Sequence, residues 1–201
     1  FARKINLKLA VVTSEFPPIN AAAAARSGPW VKELDFRGHQ VAVYSSKGSG
    51  KIGNTQHFES KRSVPSNKVG IFRRFLQEMR LAWDLSSMLK TSLSETDGVV
   101  ITSPPFFLAT HIAKLVHRWK IPYIFDIRDR YPNVLFDLNV ILKKSLIGRR
   151  LLFREKTCYG NSALIISVTK GIDQEIDSFQ KPHQHIPNGF DGEIFDPNKY
   201  A

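Results

Sequence analysis

Apolar positions along the chain switch period repeatedly, and each switch marks a change of element. Leu7 to Thr13 is a short apolar run rich in β-branched residues, stopped by Phe16-Pro17-Pro18. Such a run predicts a strand buried on both faces that ends in a loop. Ala21 to Phe36 reads as a helix, because alanine is the strongest helix former and Trp30, Val31 and Leu34 line one face. Gly38 follows where a helix stop is expected. Gln40 to Tyr44 predicts the second strand. Lys47 to Asn67, rich in glycine, serine and charge, predicts a long loop. Val69 to Phe72 is the expected third strand.

Phe75, Met79, Ala82, Leu85 and Leu89 recur at helical spacing, and so do Leu108, Ile112, Leu115 and Trp119. Between these helices, Gly98 to Thr102 predicts a strand ended by Ser103-Pro104-Pro105. Pro122 to Ile127 predicts the next strand. Ile141, Leu142, Leu146, Leu152 and Phe153 suggest one long helix from about Leu138 to Tyr159. Ala163 to Val168 is expected as a strand, Gly171 to Phe179 as a short helix, and His183 to Ile186 as a last short strand. Strands that alternate with helices imply an α/β fold. Its centre is a Rossmann-like parallel sheet between two helical layers, built on a single core.

In open parallel sheets, ligands bind beyond the carboxyl ends of the strands. The candidate loops are therefore Ser14–Arg26, Ser45–Asn67, Ser103–Phe107, Ile127–Pro132, Thr169–Gly171 and the tail from Pro187. In the first, two prolines stiffen the exit from the strand and the next helix opens with unpaired N–H groups, a setting that favours an anion. Pro18 and Asn20 lie in this loop, and Arg26, one turn into the helix, adds charge. No G-x-G-x-x-G is present, so the dinucleotide fingerprint is missing.

Asp126-Ile127-Arg128-Asp129-Arg130-Tyr131-Pro132 crowds charge at the end of an apolar strand. Alternation sends Asp126 and Arg128 to the same side. Arg128 and Asp129 either form a structural ion pair or separately contact a phosphate and a sugar hydroxyl; the sequence leaves both open.

The chain has 201 residues and a formal net charge of +11, which suits nucleic acid, an anionic membrane or phosphate-bearing substrates. Between Val140 and Lys156 six basic residues face one acidic residue, a net +5. This stretch reads as a basic amphipathic helix. Such helices lie on anionic membranes, or pack on a sheet and keep a solvated outer face. Basic residues do not interleave with aromatics as in single-strand binders, so no nucleic acid partner is expected. Cys158 is the single cysteine, which excludes an intrachain disulfide and points to a reducing, cytoplasmic setting. Phe1 to Ala10 lacks the apolar run of a secretion leader, so none is expected. His183 and His185 share a strand face without a third ligand nearby, so no metal site is expected. G-x-S-x-G, a hydrolase signature, is absent.

Several motifs in order resemble glycosyltransferase family 4. They are Phe16-Pro17-Pro18, Arg37-Gly38-His39-Gln40-Val41, Ser103-Pro104-Pro105, Arg128-Asp129-Arg130-Tyr131-Pro132 and Ile186-Pro187-Asn188-Gly189-Phe190-Asp191. The Arg-Asp-x-x-Pro loop is similar to the subgroup that builds bacterial surface polysaccharides.

The resemblance implies the N-terminal, acceptor-side half of a GT-B enzyme. Residues 1–187 would form the Rossmann-like acceptor domain, and 188–201 would begin the hinge to an absent donor domain. It implies sugar transfer with retention from a nucleotide sugar, UDP- or GDP-linked, to a glycan or lipid-linked acceptor, with no cofactor and no metal for chemistry. The location implied is cytoplasmic, peripheral on the inner membrane face. Arg128 and Asp129 would be catalytic. Pro18, Asn20, Arg26, Ser103, Pro104, Asp126, Asn188 and Gly189 would bind substrate. Relatives usually carry a Gly-Gly pair where this chain has Asn20-Ala21-Ala22, and many carry a histidine in place of Arg128. An arginine cannot act as a neutral base, so its role would be electrostatic or positional. The reading that competes is a non-catalytic binding module for anionic lipid or nucleic acid surfaces.

Overall fold

A computed structural model describes residues 6–65 and 69–189. The expected hinge therefore lies outside the described residues beyond Gly189. Seven strands form one sheet, ordered β3-β2-β1-β4-β5-β6-β7, and every neighbouring pair is parallel. The strands are β1 (Lys8–Val12), β2 (Gln40–Ser45), β3 (Gln56–Glu59), β4 (Gly98–Ser103), β5 (Tyr123–Ile127), β6 (Leu164–Ser167) and β7 (His183–His185). The helices are α1 (Ala22–Phe36), α2 (Ile71–Lys90), α3 (Phe106–Arg118), α4 (Asn133–Asp137), α5 (Leu146–Asn161) and α6 (Lys170–Asp177). The chain winds outward from β1 to β3, then returns to the middle and winds the other way from β4.

Successive strand residues feed opposite layers. Ala10 and Val12 join a cluster with α2, α3, α5 and α6, which includes Leu85, Ile112, Cys158 and Ile172. Val11, Val41, Val43 and Val100 pack with Phe16 and with Val31 of α1 on the other face. Burial on both faces accounts for the unbroken apolar strands. Gly38 ends α1 with φ +88°, a left-handed turn that a side chain disfavours.

Two expected elements differ. The third strand is Gln56–Glu59, inside the presumed loop, whereas Ile71 and Phe72 open α2. β3 is a half-exposed edge strand, so it has no apolar run to betray it. The long basic helix from Leu138 is also absent as a single element. Asn139 takes φ +52°, α4 ends at Asp137, and α5 starts only at Leu146. Ser145 caps α5 by accepting the Gly148 N–H at 3.1 Å. A Cβ on Gly148 would stand 2.4 Å from the Leu142 carbonyl oxygen, so the tight entry requires glycine.

Candidate functional site

The sheet reverses its winding between β1 and β4, and the loops after these two strands, Ser14–Arg26 and Ser103–Phe107, open above that junction. Thr102 at the top of β4 donates to the Thr13 hydroxyl just past β1 at 3.0 Å. Beside them the backbone N–H of Arg128 donates to the Ser103 carbonyl at 2.9 Å, which fixes the loop after β5.

Asp126, on β5, is fully buried and faces α1. Arg26 grips it with Nε at 3.1 and 3.0 Å from its two oxygens and Nη2 at 2.8 Å. The same guanidinium donates through Nη1 to the Pro187 carbonyl at 3.4 Å and to Asn188 Oδ1 at 3.1 Å, and lies 4.4 Å over the Trp30 ring. Burial pushes the Asp126 carboxyl up, and the hydrogen bonds and charge of Arg26 pull it back. This cluster joins three of the expected substrate residues, Arg26, Asp126 and Asn188. Arg26 and Asp126 bind each other, and Arg26 also binds the tail.

Arg128 and Asp129 are separate. The Arg128 Nη2 donates to the Pro104 carbonyl at 2.8 Å, and its Nε is buried without a partner. Burial lowers the Arg128 pKa, against the raising fields of Asp126, Asp129 and Glu15. Asp129 is exposed, and no hydrogen bond among the described residues occupies its carboxylate. Of the two alternatives open in the sequence, the structural ion pair is not formed. Ser103 is buried and contributes its carbonyl, as does Pro104. Pro18, Asn20 and Gly189 are exposed at the mouths of their loops.

A cavity of ≈ 560 Å³ opens beside this loop. It is lined by Arg128, Asp129, Arg130, Tyr131, Val134, Asp137 and, from the start of α6, Thr169, Gly171 and Ile172. Tyr131 stacks on Phe106 with ring centroids 6.0 Å apart, which fixes the cavity wall. The cavity combines two guanidinium groups, two carboxylates, apolar walls and an aromatic ring. That mixture suits a polyhydroxylated or anionic ligand, with carboxylates accepting from hydroxyls and cations meeting negative charge. Val134, Asp137 and Ile172 were missed in the sequence. α4 is too short to show a periodicity, and Ile172 comes from a different strand–helix junction.

A family model described as Glycosyltransferase Family 4 matches residues 30–193, most of the chain. The chain belongs to glycosyltransferase family 4. No curated protein sequence matches it. Solved structures resemble this family 4 domain in fold. One is Phytolacca americana UGT2 complexed with UDP-2fluoro-glucose and pterostilbene, at 11% identity and TM-score 0.57, matched over 91% of this chain and 54% of that one. A second is UDP-glucose: anthocyanidin 3-O-glucosyltransferase in complex with UDP, at 9% identity and TM-score 0.60, over 96% and 55%. A third is the catalytic domain of Starch Synthase IV from Arabidopsis thaliana bound to ADP and acarbose, at 12% identity and TM-score 0.59, over 94% and 53%. All three are GT-B glycosyltransferases, and this domain has the Rossmann-like architecture of one half of that fold. It spans about half the length of each.

Proposed function

We propose that this family 4 domain is the acceptor-side lobe of a retaining glycosyltransferase. It would work with a donor lobe equivalent to the half of the GT-B structures that it does not cover. The observation that carries this reading is the free Asp129 carboxylate beside Arg128 in a cavity at the carboxyl ends of the strands. Asp129 would accept the hydrogen bond of the acceptor hydroxyl and orient it toward the sugar. Arg128, held by the Pro104 carbonyl, would place positive charge beside the departing phosphate. The start of α1 near Asn20, whose first N–H groups lack helical acceptors, would approach the donor phosphates when the lobes close.

The three similar structures hold UDP-2fluoro-glucose, UDP and ADP, which supports a nucleotide-sugar donor for this enzyme, UDP- or GDP-linked. The acceptor would be a glycan or a lipid-linked intermediate of a cell-envelope polysaccharide, handled at the cytoplasmic face of the inner membrane. Arg26 would set the interdomain geometry by anchoring the Pro187–Asn188 segment where the hinge begins.

The full-length protein, incubated with a panel of UDP- and GDP-hexoses and candidate acceptors, is expected to release nucleotide only when an acceptor is present. Residues 1–201 alone are expected to release none, because half the cleft is missing. Turnover by residues 1–201 alone would overturn the division between lobes. Absence of turnover by the full-length protein across the panel would overturn the reading itself.

A further inference from the structure

Hydrogen bonds across the end of β4 tie the loop after β1 to the loop after β5. Thr102 of β4 donates to the Thr13 hydroxyl, which in turn donates to the Glu15 carbonyl at 3.0 Å. On the other edge of β4, the Ser103 carbonyl holds the Arg128 N–H. Glu15 and Arg128 therefore leave the sheet on either side of β4. Adjacent strands lie about 4.8 Å apart, so the two strands that carry them stand about 10 Å from each other. That spacing lets side chains of both loops reach one bound ring. The Glu15 backbone is also fixed from its other side. Phe16 is fully buried and stacks on His57, and the Ser14 and Pro17 carbonyls accept the Ser46 and Gly50 N–H groups at 3.4 and 2.7 Å.

The Glu15 carboxylate, by contrast, is half-buried and engaged by no hydrogen bond or ion pair among the described residues. Withdrawing a charge from water without a partner is unfavourable. A rigid loop at the winding reversal that holds such a group ready is suited to a ligand that supplies the missing donors. The fields of Glu15 and Asp129 both reach the Arg128 guanidinium, so two unengaged carboxylates attend one cation. Charge balance then narrows the ligand class. The cavity alone sets two guanidinium groups against two carboxylates. Glu15 adds a third carboxylate, and Arg26 and Asp126 cancel each other. A carboxylate or phosphate on the acceptor ring would be repelled, whereas ring hydroxyls can donate to both loops. We infer that Glu15 is a second acceptor-binding residue, which takes hydroxyls of the acceptor ring across β4 from Asp129 and selects a neutral ring over a uronic acid or a phosphosugar. The inference deepens the proposed function and rests on it for the presence of an acceptor at this loop.

The test is steady-state kinetics of the full-length protein with the UDP- and GDP-hexose panel and, as acceptors, p-nitrophenyl hexosides and the matching p-nitrophenyl hexuronides. The parent is expected to prefer the hexosides. Glu15→Gln keeps the shape and removes the charge. It is expected to lower kcat/KM for the hexoside acceptor roughly 10- to 100-fold, the worth of a hydrogen bond to a charged group. The donor KM is expected to stay parental, and the preference for hexosides over hexuronides to narrow. Glu15→Ala is expected to lose at least as much. Both variants should keep the parental thermal midpoint, because this carboxylate holds nothing in the fold. Glu33→Gln, exposed near the far end of α1, is expected to match the parent. Parental acceptor kcat/KM in Glu15→Gln, a change confined to the donor KM, or an unaltered ratio of hexoside to hexuronide would overturn the inference. So would a lowered thermal midpoint in both Glu15 variants, which would make the residue structural. A parent that turns over no acceptor removes the transferase reading and this inference with it, whereas a working parent matched by Glu15→Gln removes only the role of Glu15.

Discussion

Replacing Arg26 by methionine keeps the aliphatic stem and removes every hydrogen bond that holds Asp126. The structure sets the size of the effect. Both side chains are almost wholly out of solvent, at 3% and 0% exposed, and three N–H···O contacts of 2.8–3.1 Å join them. Removing one partner of such a pair leaves a buried charge uncompensated and costs about 3–5 kcal/mol. A domain with a total stability of about 5–15 kcal/mol should feel that clearly. Arg26→Met/Asp126→Leu should recover most of the loss, because an apolar pair of similar volume needs no desolvation. The assay is urea unfolding of Arg26→Met, Asp126→Leu, the double variant and the parent, followed by far-ultraviolet circular dichroism. Acid supplies a second check. Arg26 is what pulls the Asp126 carboxyl down against burial, so its removal raises that pKa further. The deficit is then complete above the raised pKa and shrinks as pH falls through it and the carboxyl takes a proton. A cost of Arg26→Met under about 1 kcal/mol, or costs that simply add in the double variant, would mean that Arg26 and Asp126 do not stabilise each other.

The remaining predictions concern the α5 entry and the half-buried His111. Gly148→Ala should destabilise by about 1–3 kcal/mol, because the new methyl meets the carbonyl oxygens of Leu142 and Lys143 at 2.4 and 2.6 Å; an unchanged thermal midpoint would contradict this. His111 has its pKa lowered from 6.5 by burial and then by the charges of Arg154, Lys90 and Lys114. The unfolded chain therefore binds its proton first, and stability falls as pH drops below about 6.5 toward the lower folded value. His111→Gln should flatten the fall of the thermal midpoint between about pH 7 and 5, and an identical slope in variant and parent would exclude His111 as a source.

Most of the sheet was legible because burial on both faces writes itself as unbroken apolar runs. β1, β2, β4, β5 and β6 all have that form. Gln56–Glu59 does not, since an edge strand buries too little to need it. The break before α5 was hidden because Ile141 and Leu142 continue the helical spacing of Leu146, while the turn depends on Asn139, Ser145 and Gly148. The loop after β5 stood out as charge at the end of an apolar strand. What could not be read was how that charge divides. Arg26 and Asp126 are 100 residues apart, and only the placement of α1 against β5 shows that they bind each other and leave Asp129 open to the cavity.

We propose that the Arg128–Asp129 loop handles the sugar acceptor. Steady-state kinetics of full-length Asp129→Ala, with the fold checked by circular dichroism, test it most directly. Its kcat is expected to fall about 100-fold or more, as for a lost orienting or proton-accepting group, with the thermal midpoint near that of the parent. Parental kcat and KM in a correctly folded variant would contradict it.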